Sequence, residues 1–365
     1  MSKENLFYHL ALTLIPGIGP VNAKSLISYC GSVDRIFKTK KQVLMKVPGI
    51  GENTAAAIVH HDVFERAETE MKFIEEKNIR VLSYWDDDYP FRLKACVDAP
   101  ILLYFAGNSD LNSERVMGIV GTRNASDYGK QIVEELIETI KEEQILIVSG
   151  LAYGIDVAAH KACLKKNIPT VGVVGHGLDR IYPYAHKEVA KKMIQHGGLL
   201  TEFMSETLPD KQNFPKRNRI VAGMIDVLVV VETAVDGGAL ITAMLADGYN
   251  KDVVAYPGNV NHKYSQGCHQ LIKTNRAALV ENGNDILEFL NWTKKEIKAK
   301  PQRELFIELS EEEKRIYDAL RENELGIDEL TLLVQLQPSI IAGSLLNLEF
   351  QGLVISLPGK RYKLV

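Results

Sequence analysis

Between residues 116 and 255 the hydrophobic positions fall into short unbroken runs separated by mixed polar stretches. The runs occupy 116–120, 145–148, 170–174, 199–201, 227–231 and 253–255. Rich in Val and Ile and lacking polar alternation, they read as strands buried on both faces. The stretches between them carry helical spacing, most clearly 129–141, 155–165 and 238–249. Strand and helix in alternation predict an α/β domain whose mainly parallel sheet is covered on both sides. Ligands of such sheets bind beyond the carboxyl ends of the strands. Glycine-rich turns follow several of the runs: GTR at 121–123, SGLAYGID at 149–156, GHGLD at 175–179 and VDGGALIT at 235–242.

The two ends of the chain have a different texture. IPGIG at 15–19 and VPGIG at 47–51 each stand between two amphipathic helical stretches. This repeat of helix, glycine hairpin and helix resembles the paired helix-hairpin-helix motifs of DNA-binding proteins. The amides that open the second helix of such a pair form a natural phosphate site, but the nearby cations are few (Lys24, Lys38, Lys40, Lys41, Lys46). DNA contact and simple packing both stay open for this region. At the other end, a capping-box start at Ser310–Glu313 introduces helices near 311–322, 327–334 and 338–351, then two short strands around Pro358-Gly359. That order is a winged helix-turn-helix. The expected organisation is a helix-hairpin-helix domain over 1–65, the sheet domain over 66–292, a charged, proline-containing linker over 293–309 and a winged helix over 310–365.

Composition narrows the class. The 365 residues are 46% hydrophobic and 25% charged, ordinary values for a globular chain of two or three domains. No window of 18 apolar residues predicts a membrane span. The four cysteines (Cys30, Cys96, Cys163, Cys268) are far apart, which argues against a zinc cage or disulfide framework and fits a reducing cytoplasm. Net charge is −4, so no global positive field attracts nucleic acid. Charge is unevenly placed, however. Lys211–Arg219 contains four cations (Lys211, Lys216, Arg217, Arg219) and no acid, whereas residues 310–365 carry nine acidic against six basic side chains.

Nucleotide signatures fail on spacing. Gly121 and Gly129 are too far apart for a P-loop, and Arg180 stands where a dinucleotide motif needs its third glycine. The histidines show no metal-ligand spacing, so no metal or cofactor is expected. The strongest constellation is NFPKRNRIVAG at 213–223, where Phe214 offers a face for a base and its neighbours offer cations for phosphates. Its competing reading is an Arg-rich loop bracing carboxylates such as Glu202 or Glu232. Arg123, closing the turn after the first long strand, has a guanidinium suited to forking onto a phosphate. Ser149 and Gly150, with Gly237 and Gly238, would offer hydroxyl and amide donors on the same rim. Asp156 and Asp179 read as braces rather than catalytic acids.

In order, VGTR, SGLAYGID, GHGLDRIYP, FPKRNRIVAG, VVVETAVDGGALITA and YPGN with GCHQLI resemble the DprA/Smf family of DNA-processing proteins over about residues 70–290. The resemblance implies a Rossmann-like single-stranded DNA binder that protects DNA during natural transformation, forms a homodimer and loads a RecA-type recombinase. It places Arg123, Phe214, Lys216, Arg217, Asn218 and Arg219 in the DNA pocket, and Gly121 and Thr122, in the turn that Arg123 closes, are expected beside them. His269 departs from the family's usual Asn, as does Thr274-Asn275-Arg276 from its usual turn. The winged helix lacks any Lys or Arg between Arg321 and Lys360, so groove reading is not expected of it and a protein contact is. Only its wing, Lys360 to Lys363, offers cations to a phosphate backbone, and a sequence-specific regulator is the third reading. The alternative function is a phosphoribohydrolase-like nucleotide enzyme using Glu232, although that residue precedes rather than follows its glycine turn.

Overall fold

The computed structural model describes residues 1–293, 309–321, 324–357 and 361–364. Most of the linker expected over 293–309, the wing tip at Pro358-Gly359 and Lys360 lie outside the described residues. The chain forms two compact units, Met1–Thr293 and Lys294–Val365.

The first unit begins with six helices: α1 (Lys3–Leu14), α2 (Pro20–Cys30), α3 (Val33–Lys38), α4 (Lys41–Leu44), α5 (Glu52–Val59) and α6 (Phe64–Glu76). The two glycine hairpins fall where the repeat places them, with Gly19 and Gly51 as the residues capping α2 and α5. The boundary expected at residue 65 falls inside α6. Ala67 and Ile74 of that helix share one apolar core with Leu10, Leu26 and Ile58, so 66–76 belong to the helical layer. This core also takes in Ile101, Leu102 and Tyr104 beside the sheet.

The sheet region follows as β1 (Arg80–Ser83), α7 (Phe91–Lys94), β2 (Leu102–Gly107), β3 (Arg115–Val120), α8 (Asp127–Ile140), β4 (Ile145–Ser149), α9 (Ile155–Lys165) and β5 (Thr170–Val173). It continues as α10 (Lys187–Gln195), β6 (Gly197–Thr201), α11 (Asn213–Met224), β7 (Val227–Val230), α12 (Gly238–Gly248), β8 (Asp252–Ala255), α13 (Gln266–Lys273), β9 (Ala278–Leu279) and α14 (Gly283–Phe289). The strands lie in the order β1-β2-β6-β5-β4-β3-β7-β8-β9. From β6 to β9 every pairing is parallel, while β1 and β2 add an antiparallel edge. Successive strand residues enter opposite cores. Leu146 and Val148 of β4 face Ile220 and Ala243 on one side, and Ile145 and Ile147 face Ile137 and Ala159 on the other. Burial on both faces is why these strands read as unbroken apolar runs.

The second unit comprises α15 (Glu311–Ala319), β10 (Leu325–Gly326), α16 (Ile327–Val334), α17 (Pro338–Phe350), β11 (Val354–Leu357) and β12 (Arg361–Leu364), a winged helix. Its capping box is formed: Ser310 Oγ accepts from Glu313 N, and Glu313 returns a carboxylate to Ser310 N. Among the described residues, no single helix is long and apolar enough to cross a membrane.

The turn from β4 into α9 is the tightest point of the sheet's carboxyl rim. Gly154 caps α9 at φ 79°, and a Cβ there would sit 2.1 Å from the Thr122 carbonyl oxygen. Gly154→Ala combines left-handed strain with a backbone clash, so it should destabilise the sheet unit by about 3 kcal/mol. Urea unfolding followed by circular dichroism checks this as a lowered midpoint at unchanged slope.

Candidate nucleic-acid interface

Helix α8 carries the chain from β3 to β4 on one side, whereas α12 carries it from β7 to β8 on the other. β3 and β7 are neighbours, so their outgoing connections diverge and leave a crevice at their carboxyl ends. A cleft of about 490 Å³ occupies that switch point. Gly121, Thr122 and Arg123 line it after β3, and Gly150 after β4. Phe214, Arg217 and Asn218 enter from α11, and Gly237 and Gly238 from the start of α12. These nine of the twelve residues expected from sequence are brought together.

The other three are not. Ser149 is fully buried and its hydroxyl donates to the Ile119 carbonyl at 2.5 Å, so it ties β4 to β3 and offers nothing to the rim. Lys216 and Arg219 miss the cleft because 213–224 is a helix rather than a loop. At 100° per residue, positions 214, 217, 218 and 221 face the cleft, and 216 and 219 face a separate cavity. Arg219 there pairs with Glu202 and donates to the Asp98 carbonyl, the bracing role that competed with DNA contact for this segment.

Arg217 has a different part from the one expected. Only 5% exposed, its guanidinium donates to the carbonyls of Gly150 and of Val173, the latter at 2.5 Å, and Nε donates to Asn218 Oδ1 at 3.1 Å. Gly150 is glycine for this reason: a Cβ would lie 2.4 Å from Arg217 Nη1 and 2.6 Å from Asp156 Oδ2. Burial pushes the Asp156 carboxyl up, and Arg217 pulls it partly back. The two charges form the floor of the cleft beneath its exposed walls.

Arg123 is an exposed cation of this site, its guanidinium 5.3 Å from the centroid of the Phe214 ring. Lys211 and Lys263 add exposed positive charge to the lining, opposed by exposed Asp236. The start of α12 lacks a capping side chain, so its first amides have no side-chain partner where Gly238 and Ala239 line the cleft. Three contributors escaped the sequence reading: Lys263, Tyr264 and Tyr182. Tyr264 accepts from Asn124 Nδ2 at 2.9 Å, and Tyr182 lies 6.1 Å from Phe214 between ring centroids. Tyr182 stands within the recognisable run GHGLDRIYP, whereas the 263–264 turn carries no periodic signal and is placed only by folding.

Glu232 does not fit the role of a catalytic acid. It is 2% exposed, and Ser126 donates to both its oxygens, from N to Oε2 at 3.0 Å and from Oγ to Oε1 at 2.5 Å. It anchors the start of α8 to the end of β7, outside the cleft, and so leaves the nucleotide-enzyme alternative without its carboxylate.

Two arginines in one site thus predict unequal stability effects. Arg217→Ala strips the buried Asp156 of its counter-charge and two carbonyls of their donor, and should cost about 3 kcal/mol or more. Arg123→Ala should stay within about 0.5 kcal/mol of the parent. Parallel thermal melts of the two variants check the contrast.

The profile of DNA recombination-mediator protein A matches residues 80–291, that of the DprA winged helix domain 299–360, and that of the SAM-like helix-hairpin-helix tandem 10–61. Protein Smf of Synechocystis sp. is 30% identical over 100% of both chains. DNA processing protein DprA of Streptococcus pneumoniae is 35% identical over 69% of this chain and 96% of its own. An X-ray structure of DprA from that species superposes with a TM-score of 0.67 at 31% identity, covering 79% of this chain and 98% of that one. DNA processing protein A of Helicobacter pylori, whose structure addresses its single-stranded DNA binding mode, gives a TM-score of 0.53 at 28% identity over 58% of this chain and 95% of its own. With the core profile spanning the sheet and its cleft, and with likeness running through both flanking domains, this chain belongs to the DNA recombination-mediator protein A family, the DprA/Smf proteins.

Proposed function

We propose that the cleft between β3 and β7 binds single-stranded DNA, and that the protein protects DNA taken up in natural transformation and passes it to a RecA-type recombinase. The observation that carries the reading is the pairing of exposed Arg123 with the Phe214 ring above the Arg217 floor. A ring face accepts any base, and the guanidinium and lysines accept phosphates. Such a site suits a strand without regard to its sequence. The single-strand binding described for the Helicobacter pylori protein supports the same ligand here. A homodimer would join two such clefts and give the recombinase a longer exposed strand.

The winged helix fits a protein contact. Its α17 has no Lys or Arg, and Leu332, Leu333 and Phe350 are exposed at 81%, 64% and 83%. A groove-reading helix needs donors to base edges instead.

Arg123→Ala should weaken oligo(dT) binding about tenfold and flatten the salt dependence by roughly one phosphate's worth of released counterion. Anisotropy titrations at two salt concentrations measure both, and parent-like binding would sink the reading. The mediator role has its own check. Catalytic amounts of the protein should shorten the lag of recombinase filament growth on single strands precoated with a single-strand-binding protein. An unchanged lag would remove that role while leaving DNA binding intact.

A further inference from the structure

Helix α11 has a cavity on each side. Opposite the cleft lies a second hollow of about 380 Å³, walled by Ile18, Gly19 and Pro20 of the first hairpin and by Phe203, Lys216 and Arg219 of the sheet unit. No ring among the described residues stacks on Phe203. Lys216 is exposed and forms no ion pair with a described residue. Of the acids lining the hollow, Asp98 accepts from the Tyr249 hydroxyl at 2.7 and 2.8 Å, and Glu202 pairs with Arg219 through Oε2 while its Oε1 is buried without a described partner. This leaves an aromatic face and a free cation together, the same two elements that Phe214 and Arg123 bring to the cleft.

Gly19 adds an independent clue. Its φ of −89° suits any residue, and a Cβ there would meet nothing within 4 Å. Gly19 caps α2 without a side chain, which leaves the first amides of that helix without a side-chain partner at the mouth of the hollow.

We propose that this cavity is a second subsite for the same single strand, taking a base against Phe203 and its phosphate at Lys216. The inference rests on the reading that the cleft binds single-stranded DNA. The strand would cross the amino end of α11, whose first turn has no acidic residue. A helix is about 10–12 Å across, the length of about three stacked nucleotides at ~3.4 Å each. A strand filling both cavities is thus several nucleotides longer than one filling the cleft alone, and the helix-hairpin-helix layer becomes part of the DNA path.

The test compares oligo(dT) of about four and about sixteen nucleotides, the range that single-strand grooves occupy, on the full chain. Phe203→Ala should bind the short oligonucleotide like the parent and the long one about tenfold more weakly, the loss of one base stack. Gly19→Asn guards against a folding artefact. Asn is a preferred capping residue, so α2 stays formed while the side chain occupies the hairpin amides and the mouth of the hollow. It should show the same length-dependent loss. Arg123→Ala should weaken both lengths. If it does, but Gly19→Asn binds the long strand like the parent, the second subsite is overturned and the cleft reading stands. If Arg123→Ala binds both lengths like the parent, the cleft reading fails and this inference fails with it.

Discussion

The buried Arg217 guanidinium is the contact on which the cleft depends. It links α11 to the carboxyl ends of β4 and β5 through the Gly150 and Val173 carbonyls, and it balances Asp156 at the start of α9. A charge this deep is tolerated only where its protons are used and a counter-charge is near. Three elements are therefore held in a fixed relation. Gly150 must lack a side chain, α9 must begin where it does, and α11 must present one face to the crevice. Phe214 and Asn218 occupy the rim because they flank that anchored residue on the helix.

This anchoring divides the basic segment by task. Four cations within nine residues look like one positive patch in a linear reading. Helical geometry separates them instead: Arg217 is the floor of the cleft, Arg219 a brace to Glu202 and Lys216 an exposed charge on the far side. Of the four, only Lys211, ahead of the helix, keeps an exposed charge in the cleft, and the cation paired with the Phe214 ring comes from the opposite wall, at Arg123. Pairing it with Phe214 required β3 and α11, more than ninety positions apart in the chain, to meet at one end of the sheet.

The flanking regions are joined to this core in different ways. The helical layer shares an apolar core with the edge of the sheet, and Arg66 and Glu70 of α6 bond Ser205 in the loop after β6. It is thus part of the same compact unit as the cleft. The winged helix keeps its own small core around Ile316, Leu330, Ile341 and Leu345. Its surface is acidic and apolar where a DNA-reading module would be basic.

The parallel sheet, the order of its strands and helices, the paired hairpins and the winged helix were all legible in the chain, because burial on both faces and glycine hairpins leave local, periodic marks. Nine of the twelve residues singled out from the sequence line one cleft, because turns at strand ends converge wherever a parallel sheet forms. Local pattern could not tell a loop from a helix at 213–224, where Pro215 and the cations mask the apolar period. Nor could it place Ser149 inside, since the last residue of a strand faces the rim or the neighbouring strand according to register. The burial of Arg217, the engagement of Glu232 by Ser126 and the arrival of Tyr264 beside Asn124 are long-range contacts. Only tertiary packing decided them, because each depends on which distant group supplies the partner for a buried or half-buried polar atom.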